Sequence, residues 1–121
     1  MSAIPYSWSM IPSDHPVELL HRQKIEGEQM LLARVHLEKG CHVALHHHVS
    51  EQMAIVIAGR VEWTLGEEGT VQEKVVMSFG EVLHIPANVW HGVDALEDTL
   101  IIDVLSPPGA MGVDSQQPRA H

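Results

Sequence analysis

Short segments in which apolar and polar residues alternate recur along this 121-residue chain, and turn-forming residues separate them. From Glu28 to Leu37 every second side chain is apolar, which is the period of a strand with one buried face. Turn signals follow every eight to twelve residues, roughly, and no stretch has a helical period of useful length. The sequence therefore predicts a single all-β domain built as a sandwich or barrel.

Composition limits the class of function. The chain has 7 Lys and Arg against 16 Asp and Glu, a net charge of −9, which argues against binding to nucleic-acid phosphates or anionic membranes. The single cysteine, Cys41, cannot form an intramolecular disulfide, and strand alternation predicts a buried, inert thiol on the face opposite His46 and His48. We therefore expect a cytoplasmic protein that acts on a small molecule and binds neither nucleic acid nor a membrane.

The chain divides into three predicted regions. Residues 1–24 contain several prolines and no sustained period, so we expect an arm laid over the domain. Residues 25–106 form the predicted barrel, and residues 107–121 form a C-terminal tail. Residues 110–121 of this tail are polar, and we expect them to be mobile.

One segment is apolar on both faces, and it predicts both a lined interior and an interface. If Gln52 points inward, the small side chains that share its face line the interior, namely Ala54, Val56 and Ala58. The opposite face then presents Met53, Ile55 and Ile57 outward. So much exposed apolar surface is normally covered by another subunit, and we expect a homodimer.

The stretch from His46 to Gln52 carries the chemistry. His46 and His48 are two residues apart at the end of a predicted strand, so both imidazoles point the same way while His47 points away. Gln52 follows after a gap that lets the backbone bring a third donor toward the same point. Nitrogen and oxygen donors without thiolate suit zinc, nickel, iron, manganese or copper, so the stretch predicts one edge of a divalent transition-metal site.

Two stretches around these residues resemble the two sequence motifs of the cupins. The first motif spaces a Gly, a His-x-His pair, a Glu and a second Gly, and its positions here hold Gly40, His46, His48, Gln52 and Gly59. The second spaces a Gly, a Pro-x-Gly turn, a His and an Asn, and its positions here hold Gly80, Pro86, Asn88, His91 and Ala95. Gln52 replaces the Glu, Ala95 replaces the Asn, and Asn88 can adopt the left-handed conformation that Gly supplies.

The resemblance implies a fold and a set of ligands. The fold is the double-stranded β-helix, or jelly-roll, barrel of a single-domain cupin. The implied metal ligands are His46, His48, Gln52 and His91. Three neutral imidazoles and an amide leave the charge of a divalent ion uncompensated, which favours Lewis-acid chemistry.

Within the cupins, the sequence is similar to the small single-domain type linked to pectin and alginate breakdown, which helps convert 4,5-unsaturated uronates to linear keto sugars. The similarity lies in Gly27-Glu28, in Glu51-Gln52, and in the ending Asp103-Val104-Leu105-Ser106-Pro107-Pro108-Gly109. Asp103 matches an acidic residue of that type, whereas Gly109 replaces an arginine. An arginine can bind a uronate carboxylate through two hydrogen bonds, and the candidates to substitute for it are Arg34, Arg60 and Arg119.

These residues predict a metal-dependent enzyme of an isomerase-like or lyase-like kind. The metal polarises an oxygen of a small sugar-like or uronate-like substrate, and Asp103 transfers a proton. Two alternatives stay open at this level: a dioxygenase-type metalloenzyme with iron or copper, and a binding module that holds a small molecule without turnover.

Overall fold

The computed structural model describes residues 2–116, which form two antiparallel β-sheets around one apolar core. The strands are β1 Leu20–Glu26, β2 Leu31–Leu37, β3 His42–His46, β4 Glu51–Ala58, β5 Arg60–Leu65, β6 Glu73–Ser78, β7 Val82–Ile85, β8 His91–Ala95 and β9 Thr99–Ser106. The larger sheet has the order β1-β2-β9-β4-β7, and the smaller has the order β3-β8-β5-β6. This is the all-β jelly-roll barrel that the sequence predicts. Across residues 2–116, no helix has the length and apolar character needed to cross a lipid bilayer.

Strand β2 confirms the alternation read from the sequence. Its inward side chains are all buried, namely Leu31, Ala33, Val35 and Leu37. The strand lies between β1 and β9, and its pairing begins with Leu31 opposite Leu105. Both neighbours also contribute buried side chains to the core, so β2 is an interior strand of the larger sheet.

Strand β4 follows the prediction at every position except its last residue, Ala58. Ala54 and Val56 are buried, and Met53 and Ile57 are exposed on the outer face, as predicted. Ala58 is exposed, so the prediction that it lines the interior is wrong. The reason is an irregularity in the pairing of β4 with β9 after Val56, because an extra residue there reverses the faces of the residues that follow.

A second irregularity lies in β3 and brings a histidine inward. The pairing of β3 with β8 shifts register between Val43 and His46, and both residues line the same cavity although they are three positions apart. Cys41 is fully buried beside Val43 on the inner face. The predicted burial of Cys41 is therefore confirmed, but its predicted position opposite His46 is wrong. Burial raises the pKa of the thiol to about 11, so the thiolate that would react is scarce at neutral pH.

Regular structure begins earlier than the sequence predicts. Strand β1 starts at Leu20 and pairs with β2 along its whole length, so the predicted end of the arm at residue 24 lies inside a strand. The preceding residues, which include the short 3₁₀ helix Trp8–Met10, lie against this strand. The side-chain amide of Gln23 donates to the carbonyl oxygens of Trp8 and Ile11, at 2.7 and 2.8 Å.

The C-terminal residues pack against the barrel as far as residue 116. Met111 and Val113 are buried, and a short 3₁₀ helix spans Gly112–Ser115. The prediction of a polar tail over residues 110–121 therefore misses these buried side chains, its mobility stays a prediction, and residues 117–121 lie outside the described residues. We call residues 111–116 the C-terminal segment.

Candidate metal centre

Three histidines converge at one end of the barrel. His46 is the last residue of β3, His91 is the first residue of β8, and the two are partners in the pairing of these strands. His48 follows β3 by two residues, and one ligand atom from each of the three rings lies within 4.8 Å of the others. His47 is exposed, with its ring centroid 4.3 Å from that of Trp90, as the spacing predicts.

The turn before β8 is hydrogen-bonded to the loop that carries His48. Asn88 has a φ of 65°, so it adopts the left-handed conformation predicted for it. Its backbone N–H donates to the carbonyl oxygen of His48 at 2.8 Å. The two loops that carry the histidines are therefore fastened to each other.

Each of the three rings is oriented by the backbone. In every case Nδ1 lies within hydrogen-bond distance of a carbonyl oxygen two residues away, and a carbonyl can only accept, so Nδ1 carries the proton. The acceptors for His46, His48 and His91 are the carbonyl oxygens of Ala44, Ser50 and Val89, at 2.8, 2.9 and 2.8 Å. A neutral ring held in this way presents the lone pair of Nε2, and metal-binding histidines are typically fixed by such a bond.

His91 shows most clearly that an ion fits here. Its Nε2 is buried and has no hydrogen-bond partner among residues 2–116, a costly state for a polar atom. Burial, together with the neighbouring His46, lowers the pKa of His91 to about 3, so the ring is neutral at physiological pH. Burial also lowers the pKa of His46. Neutral imidazoles with free Nε2 atoms are the form that divalent transition metals bind.

Gln52 is buried in the same place, with its amide held in one orientation. Its side-chain N–H donates to Asp103 Oδ1 at 2.8 Å, so its oxygen faces the histidines. Gln52 Oε1 lies 3.1 Å from His48 Nε2. Two donors that each lie about 2.1 Å from one ion, at a right angle, are separated by about 3 Å, so this spacing suits two ligands of one ion.

Asp103 on β9 is the only carboxylate among the described residues that lines the cavity with the histidines. Burial raises its pKa to about 7, against the smaller lowering effect of the hydrogen bond from Gln52. A carboxyl group with a pKa near neutrality can both accept and donate a proton under cellular conditions. That is the property expected of a general acid–base group.

All five predicted site residues line one cavity of about 50 Å³ between the two sheets. The rest of its wall is largely apolar and includes Trp63, whose indole Nε1–H is buried and has no partner within residues 2–116. The C-terminal segment contributes Met111, Gly112 and Val113. Pockets that hold small organic ligands typically have about 300 Å³ or more, so the closed cavity has room for an ion and water only.

Gly112 lies against the ring of His46. A Cβ atom added at Gly112 would overlap the Cδ2, Cγ and Nε2 atoms of that ring. Only a residue without a side chain can therefore occupy this position while the segment is closed. The C-terminal segment thus covers one of the three histidines directly.

Sequence reasoning missed one charged residue of the cavity wall, Arg22 on β1. It is 2% exposed, and its guanidinium group forms two hydrogen bonds with each of two carboxylates, those of Asp14 and Asp114. Burial by itself would lower the pKa of Arg22, but these bonds raise it above its ordinary value. The sequence signal that could have indicated its burial is the spacing of two residues from Leu20, because Arg22 then shares a strand face with that buried leucine.

The arginines that were predicted as substitutes lie elsewhere. Arg34 donates to Gln23 Oε1 at 3.1 Å, and Arg60 is 52% exposed in an ion pair with Glu97. Neither lines the cavity, so these two predictions are wrong. Arg119 lies outside the described residues.

Two sheets closed into a jelly-roll barrel, with a histidine cluster between them, define a β-barrel protein with a candidate metal site. The chain belongs to the cupin family, since the family model of the cupin domain matches residues 33–106. This establishes the family predicted from the two motifs.

Solved structures resemble the whole fold. KdgF from a Halomonas species is 26% identical, with a TM-score of 0.76 over 86% of this chain and 94% of that one. An RmlC-like cupin from Shewanella frigidimarina is 20% identical, with a TM-score of 0.77 over 88% of this chain and 93% of that one. The oxalate decarboxylase of Lactobacillus farciminis, solved as a formate complex, is 19% identical, with a TM-score of 0.80 over 92% of this chain but 35% of that one. The curated proteins contain no match to this sequence.

Proposed function

We propose that this chain is a metal-dependent enzyme that moves a proton on a small sugar acid, with 4,5-unsaturated uronates as the first candidate substrates. The observation that carries the proposal is a buried carboxyl group, that of Asp103, which lines the same cavity as the three clustered imidazoles and accepts a hydrogen bond from Gln52. A proton-transfer group beside a candidate metal site is what isomerase-like or lyase-like chemistry requires.

The proposed ligands are the Nε2 atoms of His46, His48 and His91 and the Oε1 atom of Gln52. A divalent ion bound there supplies Lewis-acid polarisation of a substrate oxygen. The donor set suits zinc, nickel, iron, manganese and copper alike. Gln52 connects the histidine cluster to the Asp103 carboxyl. Its Oε1 atom lies 3.1 Å from His48 Nε2, and its Nε2 atom lies 2.8 Å from Asp103 Oδ1.

Asp103 takes up and returns the proton at its carboxyl group. Its partners on the neighbouring strands are Ala33 and Ala54, and the burial that raises its pKa also excludes bulk water from the reaction. Trp63 offers an unpartnered indole N–H in the same wall, which can donate to a substrate oxygen. The substrate class rests on the resemblance to cupins of pectin and alginate breakdown and on the likeness to KdgF.

Metal content tests the proposed ligands. In protein purified without added metal, His48→Gln should lower the bound transition metal well below one ion per chain, while His47→Gln should retain the wild-type content. The two residues are neighbours, but His47 is exposed and only His48 faces the cluster. Elemental analysis gives the content, and equal content in both variants would contradict the assignment.

Turnover tests the reaction. Metal-loaded protein should remove the ultraviolet absorbance of the conjugated double bond of a 4,5-unsaturated uronate without consuming oxygen. Oxygen uptake with that substrate would indicate the dioxygenase type instead. Binding without any change in absorbance would indicate a binding module and would end the enzymatic proposal.

A further inference from the structure

Arg22 is a buried cation in the wall of the cavity, and the proposed proton transfer does not use it. Arg22 lines the same cavity as Gln52 and Asp103. Among residues 2–116 it is the only Lys or Arg side chain that does so. A buried guanidinium group is a strong and specific site for a planar carboxylate.

The two carboxylates that hold Arg22 are attached to the protein in different ways. Asp14 is also joined to Arg22 by two backbone hydrogen bonds, of 2.8 and 2.9 Å, so it is fixed beside the strand. Asp114 reaches Arg22 through its side chain alone, with bonds of 3.0 and 2.7 Å, from the C-terminal segment. Asp114 can therefore leave if the segment moves, whereas Asp14 stays.

The C-terminal segment also occupies the space that a substrate needs. Met111, Gly112 and Val113 line the cavity, and Gly112 covers His46. The segment is held from outside the cavity by Asp114 and by Gln116, whose side chain pairs with the backbone N–H and carbonyl of Ala44 at 3.2 and 3.0 Å. Displacing the segment thus enlarges the cavity and frees one side of Arg22 together.

We propose that Arg22 is the carboxylate-binding group of this cavity and that Asp114 occupies it as an internal carboxylate. A small organic acid then binds by replacing Asp114 on the guanidinium group and displacing residues 111–116. The exchange keeps the buried cation paired with two carboxylates, so no charge is left uncompensated. The inference rests on the proposed function only for the choice of a sugar acid as ligand.

The test compares two variants that remove a carboxylate from the same guanidinium group. Asp114→Asn weakens the internal competitor, whereas Asp14→Asn removes an equal charge and leaves the segment in place. Calorimetry on the full, metal-loaded chain measures the affinity for galacturonate and for galactose, which lacks the carboxylate. Asp114→Asn should bind galacturonate about tenfold or more tightly than wild type, because apparent affinity rises with the fraction of open protein. Asp14→Asn should gain much less, and galactose, which cannot pair with the guanidinium group, should bind far more weakly than galacturonate to both variants.

Backbone hydrogen exchange supplies a second measurement. Galacturonate should speed exchange of the amides of residues 111–116 in the wild-type chain, and galactose should not. Equal galacturonate affinity in the two variants, no binding to Asp114→Asn, or unchanged exchange would each overturn the inference.

The outcomes separate this inference from the proposed function. If these binding results hold and no unsaturated uronate is converted, the enzymatic proposal fails and the assignment of Arg22 stands. If conversion occurs and the two variants bind galacturonate equally, the assignment of Arg22 fails and the enzymatic proposal stands.

Discussion

Gln52 explains how a titrating carboxyl can lie beside a candidate metal site in this chain. The cupin motif has a glutamate at this position, and here the amide nitrogen donates to Asp103. A glutamate would place a second buried carboxylate against Asp103, and like charges at that distance resist joint ionisation. The neutral amide instead bonds Asp103 and still offers an oxygen toward the histidines.

Asp103→Asn should lower turnover of the substrate by about 10² to 10⁴, the usual contribution of a general acid–base group. Metal content should not change, because the Oδ1 atom of the asparagine can still accept the bond from Gln52. Asp94→Asn is the matched control, since Asp94 binds His42 on the outer surface. Activity of Asp103→Asn within twofold of wild type would remove Asp103 from the mechanism.

At the scale of elements, the sequence predicts strands well and their irregularities poorly. Alternation predicted β2, because every inner side chain of that strand is apolar. It missed β1, in which the charged Arg22 is buried beside Leu20. It also missed the two register shifts, because an extra residue in a strand leaves the composition unchanged.

The site shows the same division. The histidines and Gln52 lie close together in the sequence or in a spaced motif, so spacing could predict their meeting. Arg22 and Asp114 are 92 residues apart, and no local sequence pattern predicts the hydrogen bonds between them. The C-terminal segment has only two apolar side chains that are buried, Met111 and Val113, and their burial depends on contacts that only the folded barrel provides.

Gly112→Ala should loosen the C-terminal segment, because the added methyl group overlaps the His46 ring. We expect a loss of about 1–3 kcal/mol in the free energy of unfolding, the usual cost of overpacking. Hydrogen exchange at residues 111–116 should also become faster. Gly109→Ala is the control, since its methyl group would meet Ser50 Oγ at 3.6 Å, an ordinary contact. Equal stability of the two variants in urea would contradict the packing described here.

A cluster of three charged side chains connects the N-terminal region and the C-terminal segment to the larger sheet. Arg22 on β1 holds Asp14 from the N-terminal region and Asp114 from the C-terminal segment. The bond with Arg22 lowers the pKa of Asp14. For Asp114 burial is the largest effect and raises the pKa, but the hydrogen bonds from Arg22 and Met111 and the charges of Arg22 and Lys24 together lower it. Both carboxylates thus favour the folded state when they are ionised.

The free energy of unfolding should therefore fall as the pH drops below about 4, the ordinary pKa of an aspartate. A carboxyl with a lowered pKa in the folded state stabilises above its unfolded pKa and loses this effect as acid protonates it. Asp114→Asn should show a shallower fall than wild type in urea titrations from neutral pH to pH 3. Glu68→Gln in an exposed turn should follow wild type. Identical acid profiles for Asp114→Asn and wild type would refute the role of the cluster.

The outer face of the larger sheet carries the exposed apolar side chains that predict a homodimer. Met53 and Ile57 on β4 are exposed there, and so is Val82 on the neighbouring β7. Met53→Glu should therefore convert a dimer to a monomer in sedimentation experiments at micromolar concentration. Val71→Glu, at a fully exposed position outside this sheet, should leave the association state unchanged. A monomeric wild-type chain would end the prediction.

The backbone acceptors behind the three histidines affect how the site tolerates substitution. The carbonyl groups that hold Nδ1 belong to Ala44, Ser50 and Val89, and a carbonyl is present whatever side chain stands there. Related sequences can therefore vary at these positions and keep the rings in place. Gln52 depends instead on a side-chain partner, Asp103, so its orientation is sensitive to substitution at both positions. Substitutions that keep the three rings in place and change the chemistry of the site are therefore expected at Gln52 and Asp103.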